Sequence, residues 1–281
     1  MNRRFKTPSR TSPKNTKRGC LCADGKRYSR KCCDGSLQAQ GIGSIRGTAV
    51  PSFVNEKSIN FDGIDDYVLA DSSVFDLFGT PSQYFGDITY STWFKRSASG
   101  IRGLVHCGNQ NFAYGMLFGL LFVNDELRIG IANGSRATVS VPYDNDWHHI
   151  FYVQKNDGSN GCFTLKLYLD GTELYNNQVC NISSNGLATI GIELTLGRSS
   201  THYEFAGDID ECALWTSDQT EIKDSVYNNG VPSDLSSYNP DLWYRMGDND
   251  TFPTIIDNGS GSNNGTMTNM ASDDIVEDVP E

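Results

Sequence analysis

The stretch Asn60-Phe61-Asp62-Gly63-Ile64-Asp65-Asp66-Tyr67-Val68 carries the clearest information about the fold of this chain. Apolar and polar residues alternate on both sides of an acidic turn that contains a glycine, which is typical of half-buried strands joined by a tight connection. The pattern returns at Phe205-Ala206-Gly207-Asp208-Ile209-Asp210-Glu211. These two segments, far apart in the chain, predict a β-fold.

The chain between and around these segments consists of short β-branched and aromatic runs. Turn residues such as Asn124-Asp125, Asn133-Gly134 and Asp170-Gly171 separate them. Pieces of this size predict an all-β fold of two packed antiparallel sheets, with Trp93 and Trp147 filling the space between them. One short helix is predicted over about residues 218–228.

Composition sets limits on the function class. The 281 residues can bury one large all-β domain or two small ones. No stretch approaches the roughly 18 apolar residues of a membrane span, so no membrane insertion is expected. The basic N-terminus has no apolar run behind it, so no secretory signal is predicted.

Charge is distributed unevenly along the chain. The net charge is −11, yet residues 1–31 contain eleven Lys or Arg and one acid, Asp24. Residues 1–18 have almost nothing to bury and are predicted to be a disordered basic arm. Such an arm on an acidic body indicates contact with a polyanion or an acidic protein surface, or simply a solvated tail. Residues 271–281 are predicted to be an acidic C-terminal tail.

The eight cysteines fall into two groups. Those at positions 107, 162, 180 and 212 are interpreted as small buried residues. Four others, Cys20, Cys22, Cys32 and Cys33, cluster around Asp24-Gly25, a hairpin turn that would set the first pair on one strand opposite the second pair. The segment 19–44 is therefore predicted to be a Cys-rich hairpin anchor. It has almost no core, so disulfides, a Zn²⁺ ion bound by four thiolates, and free thiols all remain open.

Six motifs in order resemble the laminin-G-like, concanavalin A-like jelly-roll family over roughly residues 45–230. They are Phe61–Val68, Ile88–Lys95, Trp147–Ile150, Leu167–Gly171, Leu196–Arg198 and Phe205–Glu211. The resemblance implies a jelly-roll sandwich, which we extend over residues 45–270 to include a strand near Trp243. It also implies that the domain displays a binding surface.

Acidic residues are the candidate metal ligands. Hard cations such as Ca²⁺ take oxygen ligands from carboxylates and carbonyls, which acidic loops at a sandwich edge supply. The resemblance implies a structural Ca²⁺ near the strand of Asp210. Our predicted ligands are Asp62, Asp65 and Asp210, and the alternative is that these acids only form hydrogen bonds within turns.

A catalytic centre is not predicted. Retaining glucanases place paired carboxylates about 5 Å apart across the scissile bond, and no strand here carries their motif. Asp208 and Asp210 share a face, but the family motif already accounts for them. His148 and His149 are neighbours on a strand and are predicted to point to opposite faces.

The two ends of the chain add a second resemblance. Lys17–Gly43 and Gly265–Pro280 are similar to the ends of structural proteins of tailed marine bacteriophages. The leading hypothesis is a non-enzymatic virion protein on a capsid or fibre, assembled in the host cytoplasm and released by lysis. Its arm would bind other virion proteins, its sandwich would bind host-surface glycans, and it would be oligomeric on the particle.

Two alternatives belong to other classes. A secreted or cell-surface lectin would fit the five Asn-x-Ser/Thr sequons, although an Asn-rich chain produces these by chance. A degenerate glycanase is the second alternative.

Overall fold

The structure, a computed structural model, describes residues 20–22, 28–32, 53–78, 86–109, 116–132, 134–158, 161–182, 192–199 and 203–281. The chain divides into two compact units, Met1–Ser52 and Phe53–Glu281. Across the described ranges, no helix has both the length and the apolar character needed to cross a membrane.

The first unit contains a small antiparallel hairpin. Strand β1 (Cys20–Leu21) pairs with β2 (Tyr28–Ser29), as predicted from the turn sequence between them. A 3-10 helix, Arg30–Cys32, follows β2. The prediction that Cys32 lies on the second strand was wrong, because that strand ends at Ser29.

The second unit is a sandwich of two large antiparallel sheets, which confirms the predicted fold class. The front sheet has the order β12-β11-β10-β5-β16-β3-β20, with β17 beside β16, and the back sheet has the order β18-β19-β4-β13-β6-β7-β8-β9. The strands are β3 (Ser58–Asp62), β4 (Tyr67–Ala70), β5 (Ile88–Arg96), β6 (Ile101–Asn109), β7 (Met116–Val123), β8 (Glu126–Ala132), β9 (Gly134–Ser140), β10 (Trp147–Asn156), β11 (Phe163–Leu169), β12 (Thr172–Val179), β13 (Ile192–Leu196), β14 (Arg198–Ser199), β15 (Tyr203–Glu204), β16 (Ala206–Trp215), β17 (Leu242–Tyr244), β18 (Thr254–Ile255), β19 (Gly265–Thr268) and β20 (Ile275–Val276).

Alternation along β5 sorts its side chains between two faces. Ile88, Tyr90 and Phe94 lie in the core between the sheets. Trp93 faces outward instead, with its ring 4.8 Å from that of His149 on β10. Trp93 is buried, but on the outer face of the front sheet. The prediction that it packs between the two sheets was therefore wrong. Trp147 is also outward and only partly buried, because it lies at the start of β10.

A second apolar cluster covers part of the outer face of the front sheet. It combines residues of β10, β11, β16 and β17 with residues of the following segments: Phe151, Val153, Tyr168, Ala213, Trp215, Val226, Leu235 and Trp243. Strands β10 and β16 are thus covered on both faces, which explains their nearly continuous burial.

The predicted helix follows β16 and is shorter than expected. A 3-10 helix, Thr220–Ile222, leads into α1 (Lys223–Tyr227), and Asn228 ends it in the left-handed conformation at φ 47°. The N-cap residue is Gln219, which makes no side-chain capping bond, and not Ser217 or Asp218 as the sequence suggests; Asp218 only accepts a hydrogen bond from the Thr220 amide at 3.0 Å.

The C-terminal residues complete both sheets. β19 pairs with β4 in the back sheet, and β17 pairs with β16 in the front sheet. β20 pairs with β3, where Ile275 lies opposite Ile59. Residues 271–281, predicted to be a separate tail, thus include a strand at the edge of the front sheet.

Candidate functional site

A cleft of about 500 Å³ opens where two loops of the back sheet meet. Asp125, in the turn between β7 and β8, forms one wall. Ser140, Val141, Pro142 and Tyr143, at the end of β9 and beyond it, form the other. Tyr143 exposes 43% of its surface, whereas Val141 is buried. The cleft therefore presents an aromatic ring, a carboxylate and a hydroxyl to solvent.

Arg96 lies beneath this cleft and holds its two loops together. Its Nη1 donates to the Asn124 carbonyl at 2.7 Å, and its Nη2 donates to the Pro142 carbonyl at 2.6 Å. The guanidinium lies 4.4 Å from the ring centre of Phe122 and 5.1 Å from that of Tyr143. Burial lowers the pKa of Arg96, but an arginine stays charged at neutral pH. Arg96 thus reinforces a link between the walls that the Val141 amide also makes, by donating to the Asp125 carbonyl at 2.9 Å.

The side chains of the cleft are suited to a polar ligand with an apolar face. Tyr143 also anchors its own loop, because its hydroxyl donates to the Ser97 carbonyl at 3.1 Å. Its exposed ring offers a flat apolar surface, while Asp125 and Ser140 can bond to hydroxyl groups. Small-ligand sites commonly combine an aromatic ring with a few polar groups. Sequence analysis missed this site, although Asn124-Asp125 was recognised as a turn.

The acidic turn between β3 and β4 forms the candidate cation site. Asp62, Asp65 and Asp66 each place a carboxylate oxygen within 4.8 Å of the others. Asp62 and Asp65 are exposed, while Asp66 is buried and accepts a hydrogen bond from the Asp62 amide at 2.9 Å. Burial, reinforced by the charges of Asp62, Asp274 and Asp65, raises the pKa of Asp66 to about 6. This set of hard oxygens fits Ca²⁺.

The predicted ligand Asp210 does not join this group. Asp62 lies opposite Ala206, so Asp210 is four residues further along β16, which is about 13 Å at 3.3 Å per residue. The Asp210 carboxylate instead accepts hydrogen bonds from Asn55 at 2.7 Å and from the Glu211 amide at 2.8 Å. Asp66 is the third acid of the turn cluster, and it was not among the predicted ligands.

Asp210 and Glu211 belong to a buried network that attaches the last part of the chain to β16. Trp243 and Arg245 both donate to the Glu211 carboxylate, at 2.6 and 3.1 Å, and Arg245 also pairs with Asp248 at 2.7 Å. Burial raises the pKa of Glu211 to about 7, against the opposing effect of Arg245. Burial and the Glu211 charge also raise the pKa of Asp210. These contacts give Asp210 and Glu211 a structural role.

The sequence matches the profile of the concanavalin A-like lectin/glucanases superfamily over residues 62–222, which is more than half of the chain. The chain belongs to this superfamily. No curated protein sequence matches it.

Solved structures extend the likeness to the superfamily's fold. A Bacteroides ovatus protein to which carbohydrate binding is ascribed has 17% identity and a TM-score of 0.55; the match covers 81% of this chain and 62% of that one. The Limulus polyphemus SAP-like pentraxin has 14% identity, a TM-score of 0.44 and coverage of 62% and 82%. The CBM40 module of a Ruminococcus gnavus IT-sialidase, solved with α2,3-sialyllactose, has 14% identity, a TM-score of 0.45 and coverage of 61% and 96%. Of these three, only the Bacteroides ovatus protein has a TM-score above 0.5 and supports the fold, and none indicates a ligand for this chain.

The adjacent histidines of this superfamily member point to opposite faces, as predicted. His148 lies between Asp144 and Asp170, at 3.0 and 2.7 Å, and these hydrogen bonds raise its pKa. His149 is fully buried beside Ser91, with 2.8 Å between Nε2 and Oγ. Burial lowers the pKa of His149 to about 3, so the ring is neutral at physiological pH. A buried neutral ring against Ser91 has no path to a substrate.

The pairing of the cysteines differs from the sequence-based interpretation for two of the eight residues. Cys162 and Cys180 form a disulfide that joins the ends of the β11–β12 hairpin, and Cys180 is exposed, so the interpretation of these two as small buried residues was wrong. Cys107 and Cys212 are buried, as predicted, and neither is in a disulfide. In the first unit, Cys22 is bonded to Cys32. A sulfur in a disulfide is not a thiolate, so zinc binding by all four would need the reduced chain. The side chain of Cys20, and Cys33 as a whole, lie outside the described residues.

Proposed function

We propose that this sandwich is a non-enzymatic carbohydrate-binding domain and that its site is the cleft of Asp125, Ser140 and Tyr143. The observation that carries the proposal is the exposed Tyr143 ring beside a carboxylate on a rigid support. Membership of a superfamily whose name covers lectins and glucanases agrees with carbohydrate binding, as does the carbohydrate binding ascribed to the Bacteroides ovatus protein.

Glycan-array binding followed by titration tests this proposal. Tyr143→Ala should weaken binding about tenfold. Loss of the aromatic contact should cost about 1.4 kcal/mol of binding free energy, which raises the dissociation constant by that factor. Tyr143→Phe keeps the ring and removes the hydroxyl that bonds to Ser97; it should bind within a few-fold of the native chain, because Arg96 still holds the loop at Pro142. Equal affinity of native protein and Tyr143→Ala for every bound glycan would rule the cleft out.

We also propose a structural Ca²⁺ at the acidic turn of Asp62, Asp65 and Asp66. The three carboxylates within 4.8 Å support it. Calorimetric titration should detect binding that weakens as the pH falls through about 6, since Asp66 must lose its proton to act as a ligand. Asp65→Asn should reduce the affinity, whereas Asp76→Asn, an acid outside the turn, should not.

A more specific proposal is that the domain is part of a tailed-phage virion and faces outward from the capsid or a fibre. The resemblance of both chain ends to phage structural proteins supports it, together with the charge of the arm. Partners would be other virion proteins and host-surface glycans. Mass spectrometry of purified particles tests it: many copies support capsid decoration, few support a fibre, and absence removes the virion role.

A secreted or surface lectin is the second candidate, and one observation favours it. The Cys162–Cys180 disulfide is of a kind that persists in oxidising compartments and is rare in cytosolic proteins. A virion protein assembled in cytoplasm would acquire this bond only after lysis. Thiol labelling of the chain inside cells, before lysis, separates the two: an intact bond favours the secreted lectin.

The degenerate glycanase has little support. Asp208 accepts a hydrogen bond from Asn60 at 2.7 Å, as Asp210 does from Asn55, and both acids are buried. Acids held in this way lack the open space that a scissile bond needs between them. Reducing-sugar release that Asp208→Asn abolishes would revive this candidate.

A further inference from the structure

The last residues of the chain form a strap across the outer face of the front sheet; we use this name for residues 277–281. Val276 is the last residue paired with β3, opposite Ser58. Beyond it the chain leaves the edge of the sheet, and Ser58 Oγ donates to the Asp278 carbonyl. The Asp278 side chain reaches over the neighbouring strands. The strap therefore covers a surface that the sheet would otherwise present to solvent.

Two donors from adjacent strands converge on the Asp278 carboxylate. Lys95 Nζ lies 2.6 Å from Oδ2, and Trp147 Nε1 donates to Oδ1 at 2.8 Å. Lys95 and Trp147 are direct neighbours across β5 and β10, so their spacing is set by the sheet and not by the strap. A cation and an indole N–H aimed at the two oxygens of one carboxylate make a carboxylate-binding pair.

The same row of the sheet continues with further polar groups. Asp208 lies beside Lys95, and Asn60 lies beside Asp208, on β16 and β3. Four adjacent strands give a row about 14 Å long at about 4.8 Å per strand. It combines an indole ring, a cation, a carboxylate and an amide. Such a row can bind the hydroxyls and the acid group of a saccharide.

The strap is held by contacts that a ligand could replace. Its Lys95–Asp278 and Lys57–Glu277 ion pairs are partly exposed, with 48% and 85% of the two acidic side chains accessible. Exposed ion pairs contribute little to stability. Only two residues of β20 pair with β3, and Pro280 is the buried residue of the strap.

We propose that Lys95 and Trp147 form a binding site for the carboxylate of an acidic saccharide, and that Asp278 occupies this site until such a ligand displaces it. The proposal rests on the proposed carbohydrate-binding function and names a ligand class for it, at a place separate from the Tyr143 cleft. The apparent affinity for the ligand is therefore the affinity of the open site multiplied by the fraction of time that the strap leaves the site open.

Binding of galacturonic acid trimer to the full-length chain tests this site, with neutral galactose trimer as the comparison. Asp278→Asn should increase affinity for the acidic trimer about tenfold, the factor expected if the strap leaves the site open a tenth of the time. Glu277→Gln is the matched control, because it removes an ion pair of the same strap without touching Lys95 or Trp147. Adding Lys95→Met to Asp278→Asn should abolish the gain.

A second measurement uses the strap itself as the probe. A chain that ends at Val276 should bind a peptide of residues 272–281, and Lys95→Met should weaken this binding. Peptide binding that Lys95→Met leaves unchanged would overturn the carboxylate site. Peptide binding that galacturonic acid trimer fails to compete with would overturn the ligand class.

The outcomes also separate this inference from the proposed function. If native protein binds neutral glycans through Tyr143 but Asp278→Asn gains no affinity for the acidic trimer, this inference alone fails. If Asp278→Asn gains that affinity while Tyr143→Ala changes no binding, the cleft assignment alone fails.

Discussion

At the end of β5, Arg96 takes a position on the face that Ile88, Tyr90 and Phe94 fill earlier in the strand. A cation is tolerated there because its nitrogens meet loop carbonyls and its flat face meets the Phe122 ring. The same contacts fix the two walls of the cleft. The side chain that positions the site is therefore not one that contacts a ligand.

Replacing Arg96 by Met should destabilise the protein and weaken cleft binding. The loop carbonyls of Asn124 and Pro142 would lose their donor, which should cost about 3 kcal/mol of unfolding free energy. Urea denaturation measures the stability, and the glycan titration measures the site. Arg128→Met is the control: that side chain is 42% exposed, and its replacement should change the unfolding free energy by less than about 0.5 kcal/mol. Equal stability losses would contradict the support role of Arg96.

The buried acids predict how stability depends on pH. Burial raises the pKa of Glu211 from 4.5 to about 7 and that of Asp66 from 3.8 to about 6. The folded state therefore holds these protons more tightly than the unfolded state does. The stabilisation from these two groups should be complete below about pH 4, near their unfolded-state pKa values, and should be lost as the pH rises to 7, by at most about 1.4 kcal/mol per pH unit for each group. Denaturation curves at several pH values check this, and Glu211→Gln should flatten the fall above pH 5.

At the scale of elements, β12 is the exposed edge of the front sheet. Most of its residues are exposed, and it pairs only with β11 among the described strands. Edge strands with few buried side chains open easily. The Cys162–Cys180 disulfide joins the far ends of this hairpin, beside the Phe163–Val179 pair. It supplies a constraint that side-chain packing does not.

Replacing both Cys162 and Cys180 by Ser should loosen this edge. Closing a loop of 18 residues stabilises a protein by about 3 kcal/mol in the chain-entropy model. We expect a lower melting temperature and faster amide hydrogen exchange in β12 than in β5. Exchange that increases equally across the whole front sheet would show that the bond stabilises the entire sandwich, not the edge.

At the scale of the whole molecule, the two compact units have very different means of stabilisation. The sandwich has a core that spans both of its sheets. The first unit contains a two-strand hairpin of two residues per strand and a disulfide. Units this small often depend on such covalent links.

Deleting residues 1–44 should leave the thermal transition of the sandwich nearly unchanged. The deleted residues contribute nothing to the two apolar clusters formed by the described side chains. Differential scanning calorimetry of the shortened and full-length chains measures this. A large fall in the transition temperature, or aggregation, would show that the first unit belongs to the sandwich.

Several features of this protein follow from the sequence by itself. The sandwich class, most of its central strands and the turns between them were predictable, whereas β20 was expected to be a tail and the helix after β16 is shorter than expected. Their signals are local, because alternation along a strand and the residues of a turn act within a few positions of each other.

Other features were decided only by the tertiary structure, because they join segments far apart in the chain. Trp93 alternates like a core residue, and only the packing of α1 shows which covered face it occupies. The Cys162–Cys180 bond, the two walls held by Arg96, and the placement of Asp278 on Lys95 and Trp147 also depend on such pairings. Alternation along a strand determines which side chains share one of its faces. Which of the two faces is packed against other side chains depends on residues far away in the chain.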